Sequence, residues 1–354
     1  MSGVVGHTMY AILAGKKAIQ RRMPVGGLIH RHFDSFLSGA YLGSDIQTLP
    51  EAVCVDTGKP VGYGTVALER SPLTGGGVVP WKLRYQGAAF RPREIADLFY
   101  GRSHLIFGWK GTQTKHTLPW DHLHDYVAVV CEDVIQRYGK GERKLAYIFG
   151  WLAHIVGDCL IKSIQPGIDM HLLDGKYTKA NRPIQDLVSV HEIGIKELGL
   201  DWKRVLGSVS RAPVEMSQIH YMRIGQPYGL LGQMYPYAWD PSTEGLLREV
   251  LKQNRVYQKV RNQRLLDKYK LIYVNGDWNC DLGLSEIANH LTYSQMVELA
   301  EQAQFRSHLD AIAGIICELF DQVFQLSTSL ASVQPAEYSW ARMIRKWLVR
   351  GRSS

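Results

Sequence analysis

The spacing of apolar residues along this chain is mostly that of helices. Apolar positions recur every three to four residues through long segments, which predicts amphipathic or buried α-helices. The predicted helices lie near 8–22, 30–42, 93–100, 120–138, 143–163, 184–198, 243–268, 292–303, 306–331 and 336–349. No internal repeat or low-complexity linker divides them. The pattern therefore favours a single mostly helical domain over residues 1–354.

The helical periodicity stops between residues 53 and 92. Glycine and proline are frequent there, and β-prone pieces such as WKLRYQGAAF appear. This composition predicts a Gly-rich loop or a small β excursion near 53–92. A second irregular stretch, 222–241, is rich in Gly, Pro and Tyr. Both stretches are candidates for the walls or lids of an active site.

One predicted helix is apolar on all sides. It contains residues 145–161, LAYIFGWLAHIVGDCLI, in which only His154 and Asp158 are strongly polar. A helix that is hydrophobic all round is buried, and residues four apart lie on one face. Because an ionised carboxylate is costly to bury alone, a compensating partner is expected beside Asp158. Either a metal ion held by the His-x-x-x-Asp pair or a hydrogen bond between the two side chains explains them.

The composition narrows the class of protein. The hydrophobic content of 45% and charged content of 21% are those of an ordinary globular protein. The net charge of +8 is compatible with phosphate-bearing partners, such as nucleic acid or anionic lipid headgroups. Basic residues cluster at residues 21–22, 255–270 and 342–352, and solvated helix faces also account for these clusters. The apolar helix is shorter than the roughly 20 residues of a membrane span, so no transmembrane segment is expected.

The cysteines and the N-terminal residues bear on the compartment. The five cysteines are widely spaced, odd in number and without a Cys-x-x-Cys pair, so neither a disulfide framework nor a thiolate zinc site is indicated. The first residues lack a basic region ahead of their short apolar run and a convincing cleavage site. We therefore expect a cytoplasmic protein, unless the numbering starts at a processed terminus.

Four other polar positions are candidates for the same site as the polar pair of the apolar helix. His7 stands just before the first predicted helix, and Asp45 closes the small-residue stretch FLSGAYLGSD. His104 lies in YGRSHLIFGW, and Glu192 follows His191 on the next predicted helix. Each also has an ordinary explanation, such as a helix cap or a surface side chain. Oxygen and nitrogen donors without thiolates are typical of a hydrolytic zinc site.

The order of these residues resembles that of a known family. A His near the N-terminus, an Asp closing FLSGAYLGSD, a His in the next segment and then GWLAHIVGD are similar to the zinc-dependent phospholipase C family. That family shares its all-α fold with the single-strand nucleases of the trinuclear zinc class. The resemblance covers residues 1–197 and implies a multi-helix bundle of that type. Residues 198–354 are predicted to be a helical extension of unknown role.

The resemblance implies specific roles for five residues. By position, His7 matches the ligand of the N-terminal helix and His104 matches the loop ligand. His154 and Asp158 match the helix pair, in which the Asp bridges two metals. Asp45 matches the carboxylate that binds zinc and orients the attacking water.

Two positions depart from the family pattern. Lys162 stands where members commonly have a His, and Val188 stands where the related nucleases have a His, although Glu192 keeps the acid of that helix as a candidate ligand. His171 or His191 could replace the missing imidazole. The resemblance therefore implies one to three zinc ions, and the two departures from the family pattern predict fewer than three.

Two of the implied roles have alternatives. Lys162 either adds positive charge beside Asp158 or the substrate phosphate, as a catalytic residue, or extends to solvent at the end of its helix. His116 is a rival to His104 as the loop ligand, because it too lies between Asp45 and the apolar helix.

The chemistry that follows is hydrolysis of a phosphodiester by zinc-activated water. The substrate would be a phospholipid headgroup or a small phosphodiester, as in a phospholipase C. One alternative is a nucleic-acid phosphodiesterase or 3′-nucleotidase on the same scaffold, with Trp81, Tyr228 or Tyr235 as stacking platforms. Another is a pseudoenzyme with a degenerate metal site. The sequence determines neither the headgroup nor the oligomeric state.

Overall fold

The structure is a computed structural model of the chain. It describes residues 4–41, 52–57, 60–61, 77–80, 83–85, 88–90, 106–108, 117–119, 123–139, 141–161, 181–211, 265–337 and 339–347. The predicted helix 93–100, most of the predicted helix 243–268 and the irregular stretch 222–241 lie outside these residues. The described part is mostly helical, as the apolar spacing predicts.

Three helices form the N-terminal part: α1 (Val4–Gln20), α2 (Pro24–Arg31) and α3 (Phe33–Tyr41). Pro24 occupies the first turn of α2, where its missing N–H costs nothing. The prediction of one helix over 30–42 was wrong at its start, because residue His32 leaves the helical region with φ −129° and ψ 46°. The chain therefore turns between two helices at a position where the apolar pattern continues.

The central helices contain the apolar segment. They are α4 (Leu123–Tyr138), α5 (Glu142–Ile161), α6 (Asn181–Val188), a π-helix (Ser189–Glu197) and α7 (Trp202–Arg211). Gly139 lies between α4 and α5 with φ +75°, a conformation that glycine adopts without strain. Residues Leu145–Gly157 of α5 are all buried, which confirms the prediction of a buried helix.

Short strands lie between α3 and α4. β1 (Ala52–Cys54) pairs antiparallel with β2 (Pro60–Val61) and β3 (Val78–Pro80), in the order β2–β1–β3. β4 (Leu83–Tyr85) pairs antiparallel with β5 (Ala88–Phe90), and β6 (Ile106–Gly108) pairs parallel with β7 (Thr117–Pro119). The described residues of 53–92 thus include strands, in agreement with the predicted β excursion.

The C-terminal part begins with a hairpin that the apolar pattern did not predict. Its elements are β8 (Ile272–Val274), β9 (Asp277–Asn279), α8 (Leu282–Ile287), α9 (Tyr293–Gln302), α10 (Phe305–Leu326), a 3₁₀ turn (Thr328–Leu330) and α11 (Trp340–Trp347). Thr292 and Gln295 form a capping box that starts α9, which confirms the predicted helix near 292–303. The predicted helix 306–331 instead ends at Leu326, because Ser327 is extended.

A single apolar core runs through the described helices. α5 lies in its centre and packs against α1, α3, α4 and α10, with its most extensive contact to α3. The core also contains residues of α9 and α11, so the C-terminal helices share it with the N-terminal ones. Among the described helices, none is both long and apolar enough to cross a bilayer.

The contact between α3 and α5 depends on glycine. A β-carbon added to Gly39 would lie 2.0 Å from the carbonyl oxygen of Tyr147, and one added to Gly150 would lie 1.9 Å from that of Phe36. The two backbones therefore touch without intervening side chains. This contact brings the end of α3 against the part of α5 that carries His154.

Candidate metal centre

Two of the predicted ligands lie against each other. His7 of α1 and His154 of α5 stack with their ring centroids 3.8 Å apart and an interplanar angle of 28°. Both side chains are buried, at 4% and 2% exposure. The structure thus brings together the N-terminal His and the helix His, which the resemblance assigns to one zinc site.

The ring of His154 is oriented by the end of α3. Its Nδ1 lies 2.7 Å from the carbonyl oxygen of Ala40. Since a carbonyl only accepts hydrogen bonds, Nδ1 carries the proton and the lone pair of the neutral ring is on Nε2. A histidine that binds a metal commonly has this arrangement, in which one ring nitrogen donates to a carbonyl and the other is the ligand.

The ring of His7 is positioned by an aromatic neighbour on its own helix. Tyr10 meets His7 edge to face, with ring centroids 6.0 Å apart. The Tyr10 ring occupies the space beside Gly157, where an added β-carbon would lie 2.2 Å from Tyr10 Cδ2. Gly157 therefore admits α1 close to α5 and brings His7 against His154. The glycine of the GWLAHIVGD motif has a packing role next to the site.

The other predicted residues of the site are less completely described. The backbone of Asp158 lies in α5, one turn beyond His154, but its side chain lies outside the described part. Asp45, His104 and Lys162 lie outside the described residues altogether, as do the rivals His116 and His171. Their roles stay predictions. Within the described ranges, no three His, Cys, Asp or Glu side chains are close enough to hold a metal ion.

Glu192 lies on the π-helix, and its carboxylate has two partners, one hydroxyl group and one ammonium group. Its carboxylate accepts a hydrogen bond from the Tyr293 hydroxyl at 2.8 Å and pairs with Lys196 at 2.7 Å. It does not join His7 and His154 in a three-ligand group. Burial and the neighbouring Glu192 carboxylate both raise the pKa of Tyr293, which therefore stays protonated at neutral pH. In this structure Glu192 connects the π-helix to α9.

His191 and Val188, the two other positions that the family pattern singled out, have structural contacts. His191 Nε2 donates a hydrogen bond to the carbonyl oxygen of Tyr269 at 2.8 Å. Burial lowers the pKa of His191, so the ring is neutral at pH 7. Val188 ends α6 inside the apolar core, with 6% exposure. Neither residue contributes a third donor to the His7–His154 pair in the described structure.

One tryptophan packs closely against the π-helix. Trp202 Nε1 donates to the Val190 carbonyl at 3.1 Å. A β-carbon on Gly194 would lie 2.6 Å from the same Nε1, so only glycine leaves room for the indole. Wide π-type turns of this kind are frequent at functional sites.

Sequence reasoning missed a buried carboxylate on α6. Asp186 is 3% exposed, accepts a hydrogen bond from the Tyr269 hydroxyl at 2.6 Å and lies 3.7 Å from Arg182 Nε. Burial raises the pKa of Asp186, and the Arg182 guanidinium and the Tyr269 hydroxyl only partly offset that rise. The signal in the sequence is Arg182 four residues before Asp186, a spacing that pairs opposite charges on a helix.

Replacing Asp186 should change how stability depends on pH. The unfolded chain ionises this group near its ordinary pKa of about 4, whereas the folded pKa is raised. Between these values the folded state holds more protons, so the group makes the free energy of unfolding fall as pH rises. Asp186→Asn keeps an acceptor for Tyr269 and should remove this fall. The variant should therefore gain stability relative to the wild type from pH 4 upwards, until the folded pKa is passed.

The measurement is urea unfolding of both proteins across pH 4–8. Asp321→Asn, at an exposed position on α10, is the matched control for the loss of one carboxylate. A stability difference between Asp186→Asn and the wild type that is constant with pH would show that this carboxyl does not titrate differently on folding.

Comparison with known proteins adds no further assignment to this geometry. No family model, curated protein or solved structure matches the chain.

Proposed function

We propose that this protein is a metal-dependent phosphodiester hydrolase, most similar in its chemistry to a phospholipase C. The observation that carries the proposal is the contact between His7 and His154, two buried imidazoles from helices that are far apart in the resembling segment. The hydrogen bond from His154 to Ala40 supports it, because this bond leaves Nε2 as the donor atom for a metal.

The donor set fits zinc better than other metals. The nitrogen atoms of the two imidazoles are metal ligands of intermediate hardness. The residues predicted to complete the site are Asp45 and Asp158, with their carboxylates, and His104, with its imidazole. Nitrogen and carboxylate oxygen ligands of this kind are typical of hydrolytic zinc, whereas calcium and magnesium prefer oxygen donors alone. When bound, zinc would supply a water with a pKa of about 7 and positive charge for the phosphoryl oxygens.

The residues of the chain have separate tasks in this proposal. α5 holds His154 at a fixed orientation through Ala40, and α1 holds His7 through Tyr10. Asp45 orients the attacking water and accepts its proton. Lys162 balances the charge of Asp158 or of the phosphate. α3 ends at Tyr41, next to the Ala40 whose carbonyl accepts the hydrogen bond from His154, and Asp45 follows four residues later in the sequence.

The first test of the proposal is metal binding by the histidine pair. The purified protein should hold at least one zinc ion per chain and fewer than three. His154→Gln should lower this content, because Gln cannot supply the Nε2 lone pair. Metal analysis after dialysis is the measurement. His290→Asn, at an exposed histidine with φ +60° that Asn tolerates, is the control.

Treatment with a chelator distinguishes a histidine that binds a metal from one that only packs in the core. Zinc that binds only the folded state stabilises it, so EDTA should lower the melting temperature of the wild type and leave His154→Gln nearly unchanged. If EDTA shifts neither protein, His154 is a structural residue and the proposed metal centre is wrong. In a separate assay, activity is measured on bis-p-nitrophenyl phosphate, p-nitrophenylphosphorylcholine and single-stranded DNA. Cleavage of DNA alone would favour the nuclease alternative, and zinc without turnover would favour a pseudoenzyme.

A further inference from the structure

A cavity of about 880 Å³ lies between the π-helix, the start of α7 and the β8–β9 hairpin. Its volume is within the range of pockets that bind small molecules. Four aromatic side chains line it: Trp202, Tyr269, Trp278 and Tyr293. Three of them are buried, at 5% exposure or less, whereas Trp278 of the hairpin is 47% exposed. Aromatic rings therefore contribute to both the inner wall and the rim of the cavity.

The polar atoms of the three buried rings are already bonded to the protein. Trp202 Nε1 donates a hydrogen bond to a backbone carbonyl of the π-helix. The hydroxyl of Tyr269 donates to Asp186, and that of Tyr293 donates to Glu192. The rings consequently offer the cavity carbon surface rather than N–H or O–H donors. These bonds also hold the rings in place, so little side-chain entropy is lost when a ligand binds.

The lysines that line the cavity give it little positive charge. Lys196 pairs with Glu192 at 2.7 Å, and Lys270 pairs with Asp267 at 2.8 Å. The third lysine, Lys203, is exposed to solvent. An anionic ligand would have to compete with a carboxylate for each of the first two ammonium groups. In the third it would meet only a solvated side chain, whose attraction salt screens.

Two other carboxylates line the cavity and form no ion pair within the described part of the chain. Asp201 accepts a hydrogen bond from the backbone N–H of Arg204, and Asp281 accepts one from the backbone N–H of Gly283. Both side chains thus cap the first turn of a helix, and the helix terminus compensates only part of each negative charge. The segment 265–287 also holds more acidic than basic side chains. The charges at the cavity therefore favour a cationic ligand.

Aromatic walls with negative charge beside them match an alkylated ammonium ion. The face of an aromatic ring attracts a cation, and aromatic cages are a common site for quaternary ammonium groups. A primary ammonium needs hydrogen-bond acceptors for its N–H groups, and a metal ion needs ligand atoms at about 2–2.6 Å. A quaternary ammonium ion needs neither, because its charge is covered by alkyl groups.

We infer that this cavity binds a small quaternary ammonium cation, which lies against the four aromatic rings and whose charge is balanced by Asp201 and Asp281. The inference does not rest on the proposed hydrolase activity, because none of these six residues is one that the resemblance assigns to the zinc site. Choline is the probe, since its trimethylammonium group belongs to this class.

The test is a calorimetric titration of the full chain with choline and with 3,3-dimethylbutanol, which has the same shape and no charge. Choline should bind at least about tenfold more tightly, because only a cation is attracted to the rings and the carboxylates. Butyrate, an anion of similar size, should bind more weakly than choline. EDTA should leave the choline affinity unchanged, which separates this cavity from the proposed zinc site.

Two comparisons of variants locate the binding. Trp278→Leu should lower the affinity for choline by at least about threefold, whereas Trp278→Phe keeps a ring and should retain most of it. The double variant Asp201→Asn with Asp281→Asn keeps both helix caps. It should lower the affinity for choline by at least about threefold and leave that for 3,3-dimethylbutanol unchanged. Asp321→Asn, at an exposed position on α10 outside the cavity, is the control for loss of charge.

Three results would overturn the inference. Equal affinities for choline and 3,3-dimethylbutanol would mean that the cavity selects apolar shape alone. Tighter binding of butyrate than of choline would mean that the lysines, rather than the rings and carboxylates, determine the ligand. The third result is that choline does not bind, or binds with wild-type affinity to both Trp278→Leu and the asparagine double variant. None of these results bears on zinc content or phosphodiester turnover, which test the proposed function.

Discussion

Replacing Gly150 by alanine should destabilise this protein by about 3 kcal/mol, a large effect for one methyl group. The added β-carbon would lie 1.9 Å from the Phe36 carbonyl oxygen and 2.9 Å from the Ala40 amide nitrogen. Both are backbone atoms of α3, so no rotamer change can make room and the two helices have to separate. Because the same contact holds Ala40 against His154, zinc affinity should fall together with stability.

The matched control is Gly207→Ala on α7. A β-carbon at Gly207 meets no other atom within 4 Å in the described structure, so the helix propensity of alanine should stabilise this variant by roughly 0.5–1 kcal/mol. Urea unfolding measures both changes, and zinc titration follows the site. If Gly150→Ala were as stable as Gly207→Ala, α3 and α5 would not be in backbone contact and the orientation of His154 would need another cause.

Replacing Asp45 by asparagine should lower phosphodiester turnover by at least about 10²-fold, which is the usual effect of losing a positioned base. In the proposed mechanism Asp45 both binds zinc and orients the water, so the variant should keep its fold and most of its metal. If Asp45 only caps a helix or closes a turn, as its sequence context also allows, the change should cost about 1 kcal/mol of stability and leave turnover nearly intact. The measurement is kcat on bis-p-nitrophenyl phosphate at matched zinc.

The control for Asp45 is Asp56→Asn, at an exposed aspartate in the turn after β1. It should leave both turnover and zinc content unchanged. Equal losses in the two variants would mean that a general change in charge, rather than a base, lowers the rate. A wild type that binds zinc but turns over no substrate would move the assignment to a pseudoenzyme.

Local sequence signals predicted several elements of the fold correctly. The segment that became α5 has no continuous polar face, so it could only be stable inside the core, and its residues 145–157 are buried. The start of α9 follows from the Thr292–Gln295 capping box. The β8–β9 hairpin was missed although Asn275-Gly276 between β-prone residues is its signal, because the segment is exposed and has no buried face to produce an alternating pattern.

The break between α2 and α3 shows the limit of apolar spacing. The pattern runs through His32 without interruption, and the chain turns there because α2 and α3 each pack on α1. In the same way, Asp186 reads as a surface residue in NRPIQDLV, whereas in the structure it is buried and accepts a hydrogen bond from the hydroxyl of Tyr269, which belongs to a distant segment. Such positions depend on contacts between segments far apart in the chain, which local propensity does not contain.

The sequence by itself determined the helical class, the buried helix and the residue types available for a metal site. These follow from features of the sequence that extend over a few residues only. They are the apolar composition of α5, its polar pair one turn apart and the glycines of its motif. Only the tertiary structure decided that His7 lies on His154 and that the Ala40 carbonyl holds the latter ring. That arrangement requires α3 and α5 to pack with their backbones in contact, and it requires the Tyr10 side chain of α1 to fit against Gly157 of α5. Whether such contacts form depends on the fit of the whole core.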